Sequence, residues 1–422
     1  MKKLLFLILA AALCLLLCAC GAQSALPAAS AATPEPTAEM TPEPTPEPTP
    51  EPTPTPAPTP ALLQFPDGSA HYDYEIKVDL SALEHSGVEE AIGLLRQMPN
   101  VRTVLLGSEP EDGSEPRLSF EEIHSMQEAL PDVDFEYHFT LWGVPLSTLD
   151  ERMEIDHIKM DDQGAAVREV LPCMTKCTFL NMDFCNVDDE HMAAIRDDYP
   201  QIDVIWRIWF GTDCSIRTDA ERVLASNLNH ALNNENTKSL KYATKVKYLD
   251  IGHNTALTDL SFMSYMPDLE VAIIAISPWR DLSPLADCKN LEFLEVSEFF
   301  LQPGEVMDLE PLGGLTNLRH LNICKMFHVK NWEVLKNLTG LERLWIGAYN
   351  DIPPEGIEEL REALPNTEIN TTEQTGSLGS WRILPDGTQH PRYTLLFEQF
   401  DYGHFPASES TWLNDPNYFD YG

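Results

Sequence analysis

The chain has 422 residues, 43% of them apolar and including 8 Trp and 17 Phe, which is enough for two or three domains with a sizeable core and excludes a wholly disordered chain. Its 28 Lys and Arg stand against 67 Asp and Glu, a formal charge of −39. So acidic a surface repels phosphate backbones and anionic headgroups, so nucleic acid and polybasic membrane docking drop out as primary functions.

Lys2 and Lys3 form a charged start, followed by an apolar run from Leu4 to Leu17 that is too short to span a bilayer comfortably. The run ends in Leu17-Cys18-Ala19-Cys20-Gly21, which resembles the bacterial lipobox. The resemblance implies a signal peptide over residues 1–19 and a mature chain that begins at Cys20 and carries lipid there; an ordinary secretory signal is the alternative. The expected location is then the extracellular face of the cytoplasmic membrane, with the ectodomain extending through the cell wall. Residues 20–60 hold the lipidated cysteine and a stalk. From Thr33 to Pro60 the stalk repeats Pro-Glu-Pro-Thr without an aromatic residue, so it cannot pack a core and is expected to be disordered. Extended polyproline II at about 3.1 Å per residue would hold the rest roughly 80 to 90 Å from the membrane. The leader carries +2 and the stalk −5, so −36 of the charge belongs to residues 61–422.

Residues 61–235 read as long units in which a helix runs into a proline and then a strand. Val88, Ala91, Ile92 and Leu95 share a helical face before Pro99, as do Ile123, Met126 and Leu130 before Pro131, and Met192, Ile195 and Tyr199 before Pro200. Proline just past a helix stops it. Ser119 with Glu122 reads as a capping box. Strand frames follow at Val101, Val104, Leu106 and at Cys177, Leu180, Met182, Cys185.

Residues 236–372 read as shorter units. The frame L-x-x-L-x-L starts at Val246, Leu269, Leu291, Leu318 and Leu341, at intervals of 22 to 27 residues. Between the frames lie Leu257-Thr258-Asp259-Leu260, Asp281-Leu282-Ser283-Pro284-Leu285 and Asp308-Leu309-Glu310-Pro311-Leu312. Each unit contributes one short strand and cannot bury its apolar edge alone, so stacking is required. The expectation is an α/β leucine-rich-repeat solenoid over about 72–370, with one parallel sheet on the concave side and a helix at Ile357, Leu360 and Leu364 closing the array. The repeats resemble those of internalins. The ninth frame position, usually Asn, is Asn254 in the first unit but Ser277, Phe299, Met326 and Tyr349 afterwards, which argues against a full asparagine ladder. Residues 373–422 are rich in Tyr, Phe and Trp and are expected to cap the last strand.

Phe210-Gly211, Arg217-Thr218-Asp219-Ala220, Leu249-Asp250-Ile251-Gly252-His253-Asn254, Gly379-Ser380-Trp381-Arg382 and His390-Pro391-Arg392-Tyr393 together resemble a family of leucine-rich-repeat surface lipoproteins of Gram-positive Firmicutes. The resemblance implies compartment and fold and no particular chemistry.

No H-E-x-x-H, G-x-S-x-G, Walker loop or dinucleotide glycine fingerprint occurs, and the chain is read as a binding protein without cofactor rather than an enzyme. Six cysteines follow Cys20, an even number that invites disulfides, yet Cys177 and Cys185 fall on inward frame positions and read better as buried thiols. A zinc site at Cys173, Cys177, Cys185 and Cys214 matches no common spacing, and Glu109 to Glu115 reads as a solvated acidic loop rather than a calcium site.

Strand alternation places the candidate binding residues on the face opposite the leucines. They are Asp250, Ile273, Glu295, Asn322 and Trp345, with Tyr248, Phe293, His320 and Arg343 beside them. As an exposed stripe of rings and charges they would bind a basic or mixed-charge surface or host protein, with Trp345 as anchor. A wall or dietary glycan is the alternative ligand, and a groove of parallel aromatics would favour it.

Overall fold

The structure is a computed structural model that describes residues 59–110, 112–226, 231–298, 305–347 and 350–371, with isolated positions at 386, 388, 391 and 394. The leader, Cys20, all but the last two residues of the stalk, Phe299, Tyr349 and nearly all of the expected C-terminal cap lie outside the described residues. The chain divides into two units, Met1–Pro58 and Thr59–Gly422, and the described residues all belong to the second.

A small antiparallel hairpin, β1 (Leu62–Gln64) and β2 (Ala70–Tyr72), opens the unit. It is followed by two modules built alike. In the first, β3 (Lys77–Asp79), α1 (Val88–Leu95), β4 (Thr103–Ser108), α2 (Phe120–Ala129) and β5 (Asp134–Leu141) form a parallel sheet, and β6 (Val144–Ser147) returns antiparallel to β5. In the second, β7 (Arg152–Glu154), α3 (Ala165–Val170), β8 (Phe179–Asn181), α4 (Asp189–Asp198) and β9 (Asp203–Ile205) repeat the pattern. The hairpin of β10 (Arg207–Phe210) and β11 (Cys214–Arg217) then stands where the end of β5 and β6 stand in the first.

Local sequence accounts for these elements. The side chain of Ser119 accepts the Glu122 amide and Glu122 answers to the Ser119 amide, so the capping box starts α2 as expected. Asp188 caps α4 in the same way, its carboxylate accepting the His191 amide at 2.9 Å. Each hairpin is tied to its own sheet by a buried threonine: Thr148 Oγ1 accepts the Tyr137 amide at 3.0 Å, and Thr218 Oγ1 accepts the Trp206 amide at 3.2 Å. Both threonines are followed by x-x-Glu-Arg, at Glu151-Arg152 and Glu221-Arg222, where the next parallel strand begins. The two modules between residues 77 and 222 therefore share their order of elements and this short motif.

The third part is a seven-stranded sheet, parallel at every pairing, in the order β12 (Arg222–Leu224), β13 (Tyr248–Asp250), β14 (Val271–Ile273), β15 (Phe293–Glu295), β17 (His320–Asn322), β19 (Arg343–Trp345) and β20 (Glu368–Asn370). Two short strands, β16 (Met307–Asp308) and β18 (Val329–Lys330), pair with each other apart from the main sheet, and α5 (Pro354–Ala363) precedes β20. The middle residue of each repeat strand, Leu249, Ala272, Leu294, Leu321 or Leu344, is wholly buried in the core. The frames thus stack in the register expected from their spacing. Asp259, Asp281 and Asp308 each accept the amide two residues ahead, which starts the short 3-10 turn that returns the chain to the next strand.

One difference concerns continuity. The sequence predicts a single sheet from about 72 to 370, whereas among the described residues the repeat strands fall into three separate sheets, besides the short parallel pair of β16 and β18. The physical cause is the two hairpins: an antiparallel return at β6, and again at β10 and β11, interrupts the ladder before the next parallel run starts.

The asparagine ladder is also short. Asn254 donates through Nδ2 to the carbonyls of Ala225, Ile251 and Gly252, and its own amide donates to Ser277 Oγ at 3.1 Å. Met326 fills the same position later as an apolar group. The chain turns here through a left-handed residue in repeat after repeat, at Phe184, His253, Ile276, Glu298 and Lys325, with φ between 57 and 63°. None of these is glycine, so each carries the strain of a left-handed side-chain-bearing residue, about 1–2 kcal/mol, which the stacked ladder holds in place.

Candidate functional site

The predicted binding residues do share one face. Tyr248, Val271, Phe293, His320, Arg343 and Glu368 are register partners in one row, and Asp250, Ile273, Glu295, Asn322, Trp345 and Asn370 in the next. They are not an exposed stripe. Trp345 is 1% exposed, Glu295 and His320 2%, and Asn322 not at all. Asp250, Ile273, Phe293 and Arg343 are likewise buried, and Tyr248 is half-buried.

Their polar atoms have structural duties. Asp250 Oδ1 accepts the Gly252 amide and Asn322 Oδ1 accepts the Cys324 amide, each holding the chain as it enters the left-handed turn. Asn181 does the same for Asp183 in the second module. Arg343 is paired to Glu368 at 3.0 Å and lies over the Trp345 ring, while Phe293 packs on His320 with ring centroids 4.8 Å apart. Strand alternation set the face correctly; what it could not supply was whether that face is open.

Accessible rings lie elsewhere, at the second hairpin. Trp209 on β10 is 54% exposed, because Ile208 and Phe210 on either side of it point into the core and turn it outward. Phe184, held in the left-handed turn after β8, is 43% exposed and meets Trp209 edge to face, centroids 6.3 Å apart. His157 packs on the other side of Phe184 at 4.9 Å.

A buried ion pair fixes this corner. Arg207 donates through Nε and Nη2 to the two carboxylate oxygens of Asp183 at 2.9 and 2.8 Å, and its guanidinium lies 4.5 Å from the Phe184 ring centre. Both charged side chains are under 10% exposed, so the pair is held in a low-dielectric setting where its geometry is well defined.

The rings border a pocket of about 510 Å³ floored by Trp206 and rimmed by Asp188, Asp189 and Glu190 at the start of α4. A second hollow of about 380 Å³ adjoins it, and Trp209, Asp189 and Glu190 line both. Burial pushes the Asp189 carboxyl above its ordinary range; the Trp206 indole N–H, donating to it at 2.9 Å, acts against that shift, and the neighbouring charges of Glu190 and Asp188 act with it. The Lys241 ammonium, which lines the adjoining hollow, also acts against the shift. Such a site can stack a flat or aliphatic group on an indole and hold a positive charge against three carboxylates.

The sequence reading missed this site. Its signal was the alternation Ile208-Trp209-Phe210, which exposes the indole if the flanking residues are core, together with the acidic first turn of α4.

The other sequence candidates resolve simply. Cys173, Cys177, Cys185, Cys214, Cys288 and Cys324 are all buried free thiols. Burial pushes Cys173 and Cys288 up to about 12 and Cys185 up to about 11, which keeps them protonated and unreactive. In the acidic loop, Glu109 accepts the Thr140 amide and Asp112 the Ser114 amide. Among the described residues no group of three or more His, Cys, Asp or Glu is placed to hold a metal ion, and no helix is long and apolar enough to cross a membrane.

No family model matches the chain. Among curated proteins it is similar to cilia- and flagella-associated protein 410 of Mus musculus, 28% identical over 149 residues that cover 33% of this chain and 53% of that protein. The chain thus spans about half the length of that relative. Among solved structures it is similar to an internalin (inlF) from Listeria monocytogenes, 18% identical with a TM-score of 0.31, over 69% of this chain and 71% of that one. It is also similar to the functional domain of InlJ from Listeria monocytogenes, 12% identical with a TM-score of 0.27, over 62% and 57%. Likenesses this distant carry no argument; the repeat architecture rests on the strand register within this chain.

Proposed function

We propose that the chain is a lipid-anchored cell-surface binding protein that engages a protein partner at the pocket beside Trp209, taking up a basic side chain of that partner. One observation carries the reading: an indole that is 54% exposed stands on a paired hairpin, beside a pocket lined by Asp188, Asp189 and Glu190. Exposed Trp set in fixed surroundings is the residue type most often dominant in protein interfaces. Net charge of −39 adds long-range attraction for a basic partner. The lipobox at Leu17 to Cys20 supports the anchor, and the Pro-rich stalk supports display beyond the wall.

A glycan platform is less well supported at this site, because Phe184 and Trp209 stand at 67° to one another and do not present parallel faces to a sugar ring.

The test uses the full mature chain against a displayed library of surface-protein fragments, with an oligosaccharide array in parallel. Fragments selected on the wild type should bind Trp209→Ala and Asp189→Asn at least tenfold more weakly, and Tyr74→Ala, at an exposed ring that lines neither hollow, with unchanged affinity. Undiminished binding to Trp209→Ala, or selection of sugars alone, overturns the assignment. For the anchor, a fatty-acid analogue should label the wild-type chain in cells and not Cys20→Ala; an unlabelled wild type refutes it.

A further inference from the structure

A third hollow, of about 500 Å³, shares Trp206 with the pocket beside Trp209 and Tyr242 with the adjoining one, and is otherwise built from different residues. Part of its lining comes from the end of α4 and the turn into β9, where Pro200 follows the helix and the strand begins at Asp203. Most of the rest comes from Tyr242, Thr244 and Lys245, on the way into β13.

The polar groups of this hollow are largely unused by the protein. Arg196 donates through Nε to Asp197 at 3.3 Å, and its guanidinium lies 5.4 Å from the Trp206 ring centre, but its two terminal nitrogens have no acceptor among the described residues. The Lys245 ammonium, the Thr244 hydroxyl and the Asp203 carboxylate likewise have no hydrogen-bond or ion-pair partner among the described residues. Close by in the chain, Arg217 and Lys247 are by contrast paired with Asp219 and Glu221. One hollow therefore collects spare donors and a spare acceptor together.

Charge narrows what such a hollow can take. Arg196 and Lys245 cancel Asp197 and Asp203, so the lining has no excess of either sign, and the −39 of the whole chain works against a ligand that is a net anion. A neutral molecule carrying both signs satisfies every spare group. An uncharged sugar is also neutral, but Trp206 and Tyr242 are both buried and offer it no open ring face. Pro200 and Ile202 add an apolar wall that suits an aliphatic body. We propose that this hollow is a binding site for a small apolar zwitterion, a free amino acid or short peptide with aliphatic side chains. Its carboxylate is taken by Arg196, Lys245 and Thr244, the guanidinium offering two parallel N–H groups, and its ammonium by Asp203. The site is separate from the one beside Trp209 and does not depend on a protein partner there.

Titration calorimetry of the full chain with L-leucine and with L-leucyl-L-leucine tests this directly. At least one of the two should bind, and blocking either end of the better ligand, as its N-acetyl or its carboxamide form, should weaken binding at least tenfold. Binding of neither, or an N-acetyl form that binds as tightly as the free one and so marks a site for anions alone, overturns the proposal. The second measurement is on the protein. Arg196→Gln and Asp203→Asn, at a partly exposed and an exposed side chain, should each weaken the better ligand at least tenfold, while Tyr74→Ala, which lines none of the three hollows, should bind it like the wild type. Wild-type affinity in either Arg196→Gln or Asp203→Asn overturns the proposal.

Discussion

The row from Tyr248 to Trp345 and the corner at Phe184 and Trp209 are made of the same materials: aromatic rings, an arginine stacked on one of them, and carboxylates close by. In the first, Trp345 is 1% exposed; in the second, Trp209 is 54% exposed. Residue type therefore does not distinguish a covered face from an open one in this fold. The distinction lies in what stands above each strand position, since a central strand of a broad sheet can be roofed by another layer, whereas a two-stranded hairpin at a module boundary leaves its outer side chain uncovered.

The sharpest way to break the comparison is to truncate both indoles. Trp345→Ala should cost about 3–5 kcal/mol of stability, while Trp209→Ala should stay within about 0.5 kcal/mol, both read from urea denaturation of the full chain. Equal losses would mean that the two sites are not differently packed. Next, Asp183→Ala leaves the Arg207 guanidinium buried without its carboxylate and should destabilise by about 3 kcal/mol or more. The same variant should loosen Phe184 and Trp209, visible as faster quenching of Trp fluorescence by acrylamide. A change under about 1 kcal/mol would show that the pair does not organise the corner.

A smaller effect separates the two modules. Thr148→Val and Thr218→Val each remove one buried acceptor from a strand amide and should cost about 1–3 kcal/mol apiece. If only one of them does, the duplicated hairpins are not equivalent in energy. The smallest effect is at the cap of α4. Asp188→Ala should cost about 1 kcal/mol at neutral pH. The amide of His191, and then its ring, hold the Asp188 carboxyl below its ordinary range. A carboxyl lowered on folding stabilises fully above its unfolded pKa and loses that contribution as pH falls through its folded value. The difference between wild type and variant should therefore shrink on acidification, and a difference independent of pH would place the stabilisation elsewhere.

Much of the architecture was legible in the chain. Leu249, Leu294, Leu321 and Leu344 announce their strands by spacing alone, because each unit must bury its apolar edge against the next, and Ser119 with Glu122 announces α2 because the two side chains satisfy amides that the helix cannot. Thr148 and Thr218 were also readable, each followed by x-x-Glu-Arg, but the match is short and sits between stretches of unrelated sequence. The predicted binding residues were assigned to the right face and the wrong environment. Asp250 and Asn322 turned out to serve their own turns, a role their residue types favour in any loop, and Trp345 proved to be covered.

Sequence by itself determined the repeat spacing, the inward leucines, the helix caps and the acidic charge, since each depends on neighbours a few residues away or on composition. Tertiary structure decided the rest: that two antiparallel hairpins interrupt the parallel ladder, that Arg207 finds Asp183 across 24 positions of chain, and that Trp209 is left outside while Trp345 is closed in. Those outcomes depend on which segments meet through space, and side-chain periodicity reports only the direction in which a residue points, not what it encounters there.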